Sequence, residues 1–232
     1  MLVKQFRYSA DNLGYLVYGK ETAIAIDAGA VNEMISFAKE SGLTIKYVTN
    51  THSHYDHISG NASMLEQTGA EFIDCKSLRN QNFIEIDGAN LQIIYTPGHT
   101  DEDLTFKAEN FIITGDTLFN GTVGTCFSGD MKGFLGSINL LMSFPPETII
   151  YSGHDYIKES IAFAKTIDKN NPELDIYLNN RDPFHVYSTI AEEFKVNPFV
   201  RYNDKKIIDI MKERGLQVAT EYERWNSLLD LY

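Results

Sequence analysis

Only two cysteines, Cys75 and Cys126, occur in 232 residues. That excludes a small scaffold stapled by disulfides, and with no oxidising address visible both read as free thiols of a reducing cytoplasm. The start, Met1 to Tyr8, lacks a charged segment followed by a long apolar core, so it shows no secretory signal. No apolar run is long enough to cross a membrane. Positive charge is scarce as well: 20 lysines and arginines stand against 32 aspartates and glutamates, a formal net charge of -12. A chain so short of clustered cations does not bind nucleic acid, where affinity comes from releasing counterions from phosphates. A small anionic substrate stays possible, because a few local cations can outweigh the distant field. Repeats and low-complexity segments are absent, so nothing points to an array or a flexible tail.

What is present is an ordinary globular composition, 43% hydrophobic and 12% aromatic, enough for one substantial core with an added subdomain. Strand-like runs recur at Tyr15 to Val17, Thr22 to Ile26, Ile45 to Val48, Glu71 to Ile73, Phe83 to Ile86, Leu91 to Tyr95, Leu104 to Lys107, Phe111 to Ile113 and Thr148 to Tyr151. Helical patterns interrupt them at about 31–41, 60–69 and 133–143. Many strands with few crossovers predict an α/β protein built as an αββα sandwich. After Tyr156 amphipathic patterns take over at about 158–169, 188–195, 204–214 and 220–229, separated by Asn171-Pro172, Asp182-Pro183 and Asn197-Pro198. The expected division is therefore a strand-rich domain over 1–157 and a helical subdomain over 158–232.

The chemistry concentrates in Thr51-His52-Ser53-His54-Tyr55-Asp56-His57, three imidazoles and a carboxylate directly after the strand-like Ile45 to Val48. In an extended segment alternate side chains share a face, so His52 and His54 can grip one ion, while Asp56 and His57 aim elsewhere. Two ions fit this run better than one. His99 follows the strand ending at Tyr95, His154 follows the strand ending at Tyr151, and Asp116 follows Phe111 to Ile113, each beside a glycine that lets the backbone approach a bound group. Five of the six histidines thus sit at strand ends, where open α/β sheets place their chemistry, and only His185 does not.

The order His-x-His-x-Asp-His, a histidine after Pro97-Gly98, Gly115-Asp116-Thr117 and Gly153-His154-Asp155 resembles the metallo-β-lactamase fold superfamily over roughly the first 155 residues. Gly153-His154-Asp155-Tyr156, Asn171-Pro172, Ser188 to Glu193 and Asn197-Pro198-Phe199-Val200-Arg201 extend the likeness to the hydroxyacylglutathione hydrolases. The resemblance implies that His52, His54 and His99 hold one metal, that Asp56, His57 and His154 hold a second, and that Asp116 bridges both together with a water or hydroxide. Imidazole and carboxylate ligation suits two divalent ions, with zinc the expected metal and iron or manganese as alternatives. Asp27, after the strand at Thr22 to Ile26, reads either as a residue orienting a ligand imidazole or as the start of a turn.

The implied activity is hydrolysis of a small-molecule thioester, S-2-hydroxyacylglutathione or a related thiol ester, by the metal-bridging hydroxide, with Asp56 and Asp116 as the catalytic carboxylates. The resemblance leaves open an alternative, a mononuclear iron persulfide dioxygenase with the same motif histidines. For the substrate it implies contacts from Tyr156, from Arg201 and Lys205, and from the loop after Asp116. There Thr125 and Phe127 occupy the positions where the family commonly carries a lysine and a tyrosine, so one cation and one hydroxyl are missing. Cys126, ten residues past Asp116, reads as a small packed side chain or as a soft ligand. The oligomeric state is not legible.

Overall fold

The computed structural model describes residues 1–232. The first sheet is built from β1 (Leu2–Tyr8), β2 (Asn12–Tyr18), β3 (Thr22–Ile26), β4 (Thr44–Thr49) and β5 (Glu71–Phe72), side by side in that order. β1, β2 and β3 run antiparallel, and β3, β4 and β5 run parallel. Parallel neighbours need crossovers, which α1 (Val31–Glu40) supplies between β3 and β4 and the short α2 (Tyr55–Ile58) with α3 (Asn61–Thr68) between β4 and β5. After α4 (Cys75–Leu78) come β6 (Phe83–Ile86), β7 (Ala89–Tyr95), β8 (Leu104–Lys107) and β9 (Phe111–Gly115), then a small hairpin of β10 (Leu118–Phe119) and β11 (Thr122–Val123), α5 (Met131–Leu141) and β12 (Ile149–Ser152). The rest of the chain is α6 (Ile157–Ile167), α7 (Pro172–Asn180), β13 (Ser188–Thr189), α8 (Ile190–Val196), α9 (Lys205–Glu213) and α10 (Glu221–Leu229). The second sheet has the order β13-β12-β9-β8-β7-β6.

Alternation along the strands explains the layering. In β3, Ile24 and Ile26 face the space between the sheets, and Ala23 and Ala25 face α1 and α3, where Met34, Ala38 and Met64 pack on them. In β9, Phe111 and Ile113 enter the same central core, while Ile112 turns outward to Phe134, Ile138, Ile207 and Trp225. Both faces of β3 and β9 are covered, which is why these strands read as near-continuous apolar runs. The architecture is the expected αββα sandwich with a helical carboxyl-terminal part.

Two features depart from expectation. Asn171-Pro172 is not a mere separator: the Asn171 side chain accepts the Glu173 N–H at 3.1 Å and Pro172 occupies the first turn, so the pair opens α7. The carboxyl-terminal part is also not wholly helical, because β13 pairs antiparallel with β12 through Ile149↔Thr189 and Ile150↔Ser188. Two paired residues are too few to leave a periodic signal.

Candidate metal centre

β3, β4, β7, β9 and β12 all end on the same edge of the sandwich. Pairing fixes this within each sheet, since β3 and β4 are parallel, β9 and β12 are parallel, and β7 runs with β9 because both are antiparallel to β8, and the contacts of His57 with His154 and of His54 with His99 join the two sets of ends. The loops that leave those ends carry Asp27, His52 to His57, His99, Asp116 and His154 to one place. The turn between β1 and β2 adds Asp11 and Asn12 from the opposite chain direction, and neither was anticipated from the sequence.

Within the cluster, each of three imidazoles gives one ring nitrogen to the protein and turns the other inward. His57 Nδ1 lies 3.0 Å from Asp27 Oδ2, His99 Nδ1 2.9 Å from the Thr125 carbonyl, and His154 Nδ1 2.9 Å from Asp11 Oδ1. Donation to an oxygen fixes the orientation of the ring and turns Nε2 to the centre, where a cation would take the place of any proton it carries. Those nitrogens converge: His57 Nε2 and His154 Nε2 are 3.3 Å apart, and Asp56 Oδ2 lies 3.5 and 3.3 Å from them. On the other side His99 Nε2 is 3.0 Å from His54 Nδ1, and His52 joins that pair within metal-ligating reach. Asp116 lies between the halves, with Oδ1 3.4 Å from His57 Nε2 and Oδ2 3.6 and 3.4 Å from the Nε2 atoms of His99 and His154.

The donor set fits divalent cations on its own geometry. Ligand atoms about 2.0–2.1 Å from a tetrahedral zinc stand roughly 3.3–3.4 Å from one another, and the spacings above cluster around that edge length. His52 Nε2 and Asp116 Oδ1 are buried with no hydrogen-bond partner. An unmet polar atom inside a protein costs about 1–3 kcal/mol, an expense that a cation on these atoms removes. Thiolate takes no part. Cys75 is buried, donates to the Asn50 carbonyl and is pushed up to about 12 by burial, and Cys126 lies against Ser128.

Burial and the neighbouring His57 push His52 down to about 3, so its ring is neutral and free to ligate. His57 is also buried, which by itself lowers it, but the carboxylates of Asp27 and Asp116 win and raise it to about 11. Asp116 is held well below the usual carboxylate range: burial opposes this, and contacts with His154 and His57 overcome it. Water reaches each half through one side chain. His52 and His57 are sealed, whereas His54 is half-buried and the Asp56 side chain is 45% exposed and held by Asn12 Nδ2 at 2.8 Å.

Close approach explains the glycine before His154: a Cβ on Gly153 would meet Asp116 Oδ1 at 2.1 Å. Asp27 takes a left-handed backbone, φ 52°, which a short polar side chain tolerates when it bonds locally. Its two oxygens accept the Thr51 N–H and hydroxyl, both at 2.8 Å, besides facing His57. Of the two readings of Asp27, the structure has the one in which its carboxylate orients an imidazole of the cluster.

The hairpin β10–β11 begins two residues after Asp116, and α8 holds its tip. Glu193, fully buried, accepts the Gly121 N–H at 3.0 Å on each oxygen and the Asn197 side chain at 2.8 Å, and Asn197 reaches the Thr122 carbonyl at 3.2 Å. Asn120 bonds Ser188 at 2.7 Å and Ser152 at 2.9 Å, and Ser152 also donates to the His154 carbonyl at 2.8 Å. The return strand delivers Thr125, whose carbonyl orients His99. Phe119 packs edge-on against His154 and Tyr156, with ring centroids 5.9 and 5.1 Å away.

The substrate-contact candidates divide. Tyr156 stacks on His154 with centroids 4.9 Å apart and rings 6° from parallel, at the edge of the cluster. Thr125 is exposed beside His99, and Phe127, 68% exposed, lies edge-on to His99 and His54. Arg201 is not gathered with them: its guanidinium is committed to Asp168 at 3.3 Å and Asp204 at 2.9 Å. Lys205, 91% exposed, pairs with Asp209 and lines a different cleft, with Lys169 and Arg214.

Two family profiles match the sequence: the metallo-beta-lactamase superfamily over residues 12–77 and the hydroxyacylglutathione hydrolase C-terminus over residues 155–227. Among curated relatives, the hydroxyacylglutathione hydrolase of Bartonella quintana is 30% identical over 97% of this chain and 98% of its own length. That of Pelagibacter ubique is 30% identical over 87% and 93%. Among solved structures, ETHE1 from Myxococcus xanthus superposes with a TM-score of 0.68 at 24% identity, covering 98% of this chain and all of its own, a likeness of fold. No helix is long and apolar enough to cross a membrane.

Proposed function

Since the chain belongs to the hydroxyacylglutathione hydrolase family, within the metallo-beta-lactamase superfamily, we propose that it cleaves S-2-hydroxyacylglutathione, such as S-lactoylglutathione, to the free thiol and the hydroxy acid. It is a metal-dependent hydrolase acting on thioester bonds. The observation that carries the finer reading is the position of Asp116, with one oxygen toward His57 and the other toward His99 and His154, between two ligand groups. This supports two divalent ions, one on His52, His54 and His99 and one on Asp56, His57 and His154, shared by Asp116.

Bound there, the cations would supply hydroxide at neutral pH and draw electron density from the thioester carbonyl. The protein's own part is positioning. Asp27, Asp11 and the Thr125 carbonyl fix three imidazoles, and Asn12 holds Asp56 at the mouth. Tyr156 stacks on His154 and Phe127 lies edge-on to His99, so one aromatic ring flanks each half of the cluster. The leaving thiol, with a pKa of about 8.5, departs as thiolate, so the residues around the site need not include a general acid.

Elemental analysis of the purified protein, with turnover of S-lactoylglutathione in air and under nitrogen, tests this reading. About two metals per chain and thiol release that ignores oxygen are expected. One iron per chain with oxygen uptake on a persulfide, and no thioester cleavage, would replace it with the dioxygenase.

A further inference from the structure

Asp11 and Asn12 steady the half of the centre formed by Asp56, His57 and His154: Asp11 accepts from His154 Nδ1, and Asn12 donates to Asp56 Oδ2. What holds Asp11 and Asn12 is a short ladder to the segment after β12, in which the Leu13 N–H meets the Gly153 carbonyl at 2.8 Å and the Asp155 N–H meets the Asp11 carbonyl at 3.0 Å. The Asp155 carboxylate then reaches Arg7, near the end of β1, at 2.6 Å, and Arg181, just past α7, at 3.7 Å. Resting on the two-cation reading above, we propose that Arg7, Asp155 and Arg181 are positioning residues, a clamp on the β1–β2 turn that sets the affinity of the site made by Asp56, His57 and His154 and leaves that of His52, His54 and His99 alone.

Burial makes the clamp necessary. The Asp155 side chain is only 11% exposed and its Oδ1 is buried with no hydrogen-bond partner, so the two guanidiniums are what compensate its charge. A buried carboxylate deprived of its cation is strongly unfavourable where it stands and moves toward water. Here that movement would pull the Asp155 N–H from the Asp11 carbonyl and loosen the turn. Around the clamp Arg7, Lys158 and Arg181 face Asp11, Asp155 and Glu159, three cations to three carboxylates, so no surplus positive charge stands ready to replace a lost guanidinium. Selectivity follows from what the turn touches. His154 depends on Asp11, and Asp56 depends on Asn12 and, through its carbonyl, on the hydroxyl of Tyr8 at 3.1 Å, one residue past Arg7. The other group is held from elsewhere: the Thr51 hydroxyl lies 3.1 Å from His52 Nδ1, and the Thr125 carbonyl faces His99.

Zinc titration of the metal-stripped protein against a competing chromophoric chelator tests the clamp. The wild type is expected to take two equivalents. In Arg7→Met one equivalent is expected to keep its wild-type affinity, which also reports that the variant is folded, while the other weakens about 10–100-fold. Arg181→Met, which removes the longer contact, is expected to act in the same direction and less. Arg7→Lys keeps the charge and should recover most of the loss. So should Arg7→Met combined with Asp155→Asn, because a neutral amide needs no counter-charge. Two equivalents bound by Arg7→Met as tightly as by the wild type overturn the clamp, as does an equal weakening of both, or a loss that the double variant leaves uncorrected. A wild-type protein that takes up a single metal overturns the two-cation reading, and the clamp falls with it.

Discussion

Asp27 acts at one remove from the cluster. Its carboxylate accepts the His57 Nδ1 N–H, which obliges Nε2 to face Asp56, His154 and Asp116, where a bound cation would take the place of its proton. Asp27→Asn keeps the volume and tolerates the left-handed backbone, but its amide N–H₂ can meet His57 Nδ1 only if that nitrogen accepts, which moves the proton to Nε2. Metal affinity is therefore expected to drop 10–100-fold, measured by competition with a chelator, with little change in the fold by circular dichroism. Affinity equal to wild type would mean that His57 is not oriented through Asp27. At this scale the ligand-rich run at His52 to His57 was legible because its spacing is local. Asp11 and Asn12 were not: they come from a turn more than 40 residues before Asp56, and only the antiparallel pairing of β1 with β2 brings them to the cluster.

Among the elements, α8 is the one whose role exceeds its length. Seven residues, Ile190–Val196, are capped by a Thr189–Glu192 box and deliver Glu193 to the tip of the β10–β11 hairpin. Burial, opposed by contacts from Ser188, Asn197 and Gly121, raises Glu193 to about 7 from its usual 4.5. The folded protein thus holds this proton where the unfolded chain has released it. Its contribution to stability is complete below pH 4.5 and is lost as pH climbs through 7, a change of roughly 3 kcal/mol. Urea midpoints of the wild type and Glu193→Gln are expected to diverge across that window, the wild type losing ground as pH rises while the glutamine does not respond. A constant gap would mean that Glu193 stays ionised. The helix itself was legible from its amphipathic pattern, but which residue it buries against the hairpin was not, because that contact is made over 72 positions of chain.

On the scale of the molecule, the helices after β12 share cores with the sheets. Ile161, Leu174 and Tyr177 belong with Phe106 and Ile113, and Trp225 packs edge-on to Phe134 at 5.8 Å in a core that includes Ile112 and Ile150. Unfolding in urea is expected to show one transition, with the fluorescence of the single tryptophan and far-ultraviolet circular dichroism superposing. A fluorescence midpoint at lower urea would show α10 leaving first. The layered sandwich was legible because strands covered on both faces spell unbroken apolar runs; the strand β13, two residues long, left no such trace. The burial of the centre also bears on time. Two of the three ligands in each half are sealed and one is reached by water, Asp56 on one side and His54 on the other. A fast chelator chase should therefore strip both equivalents at comparable rates, in one phase, with no half-loaded form accumulating; two well-separated phases would show that one side opens before the other.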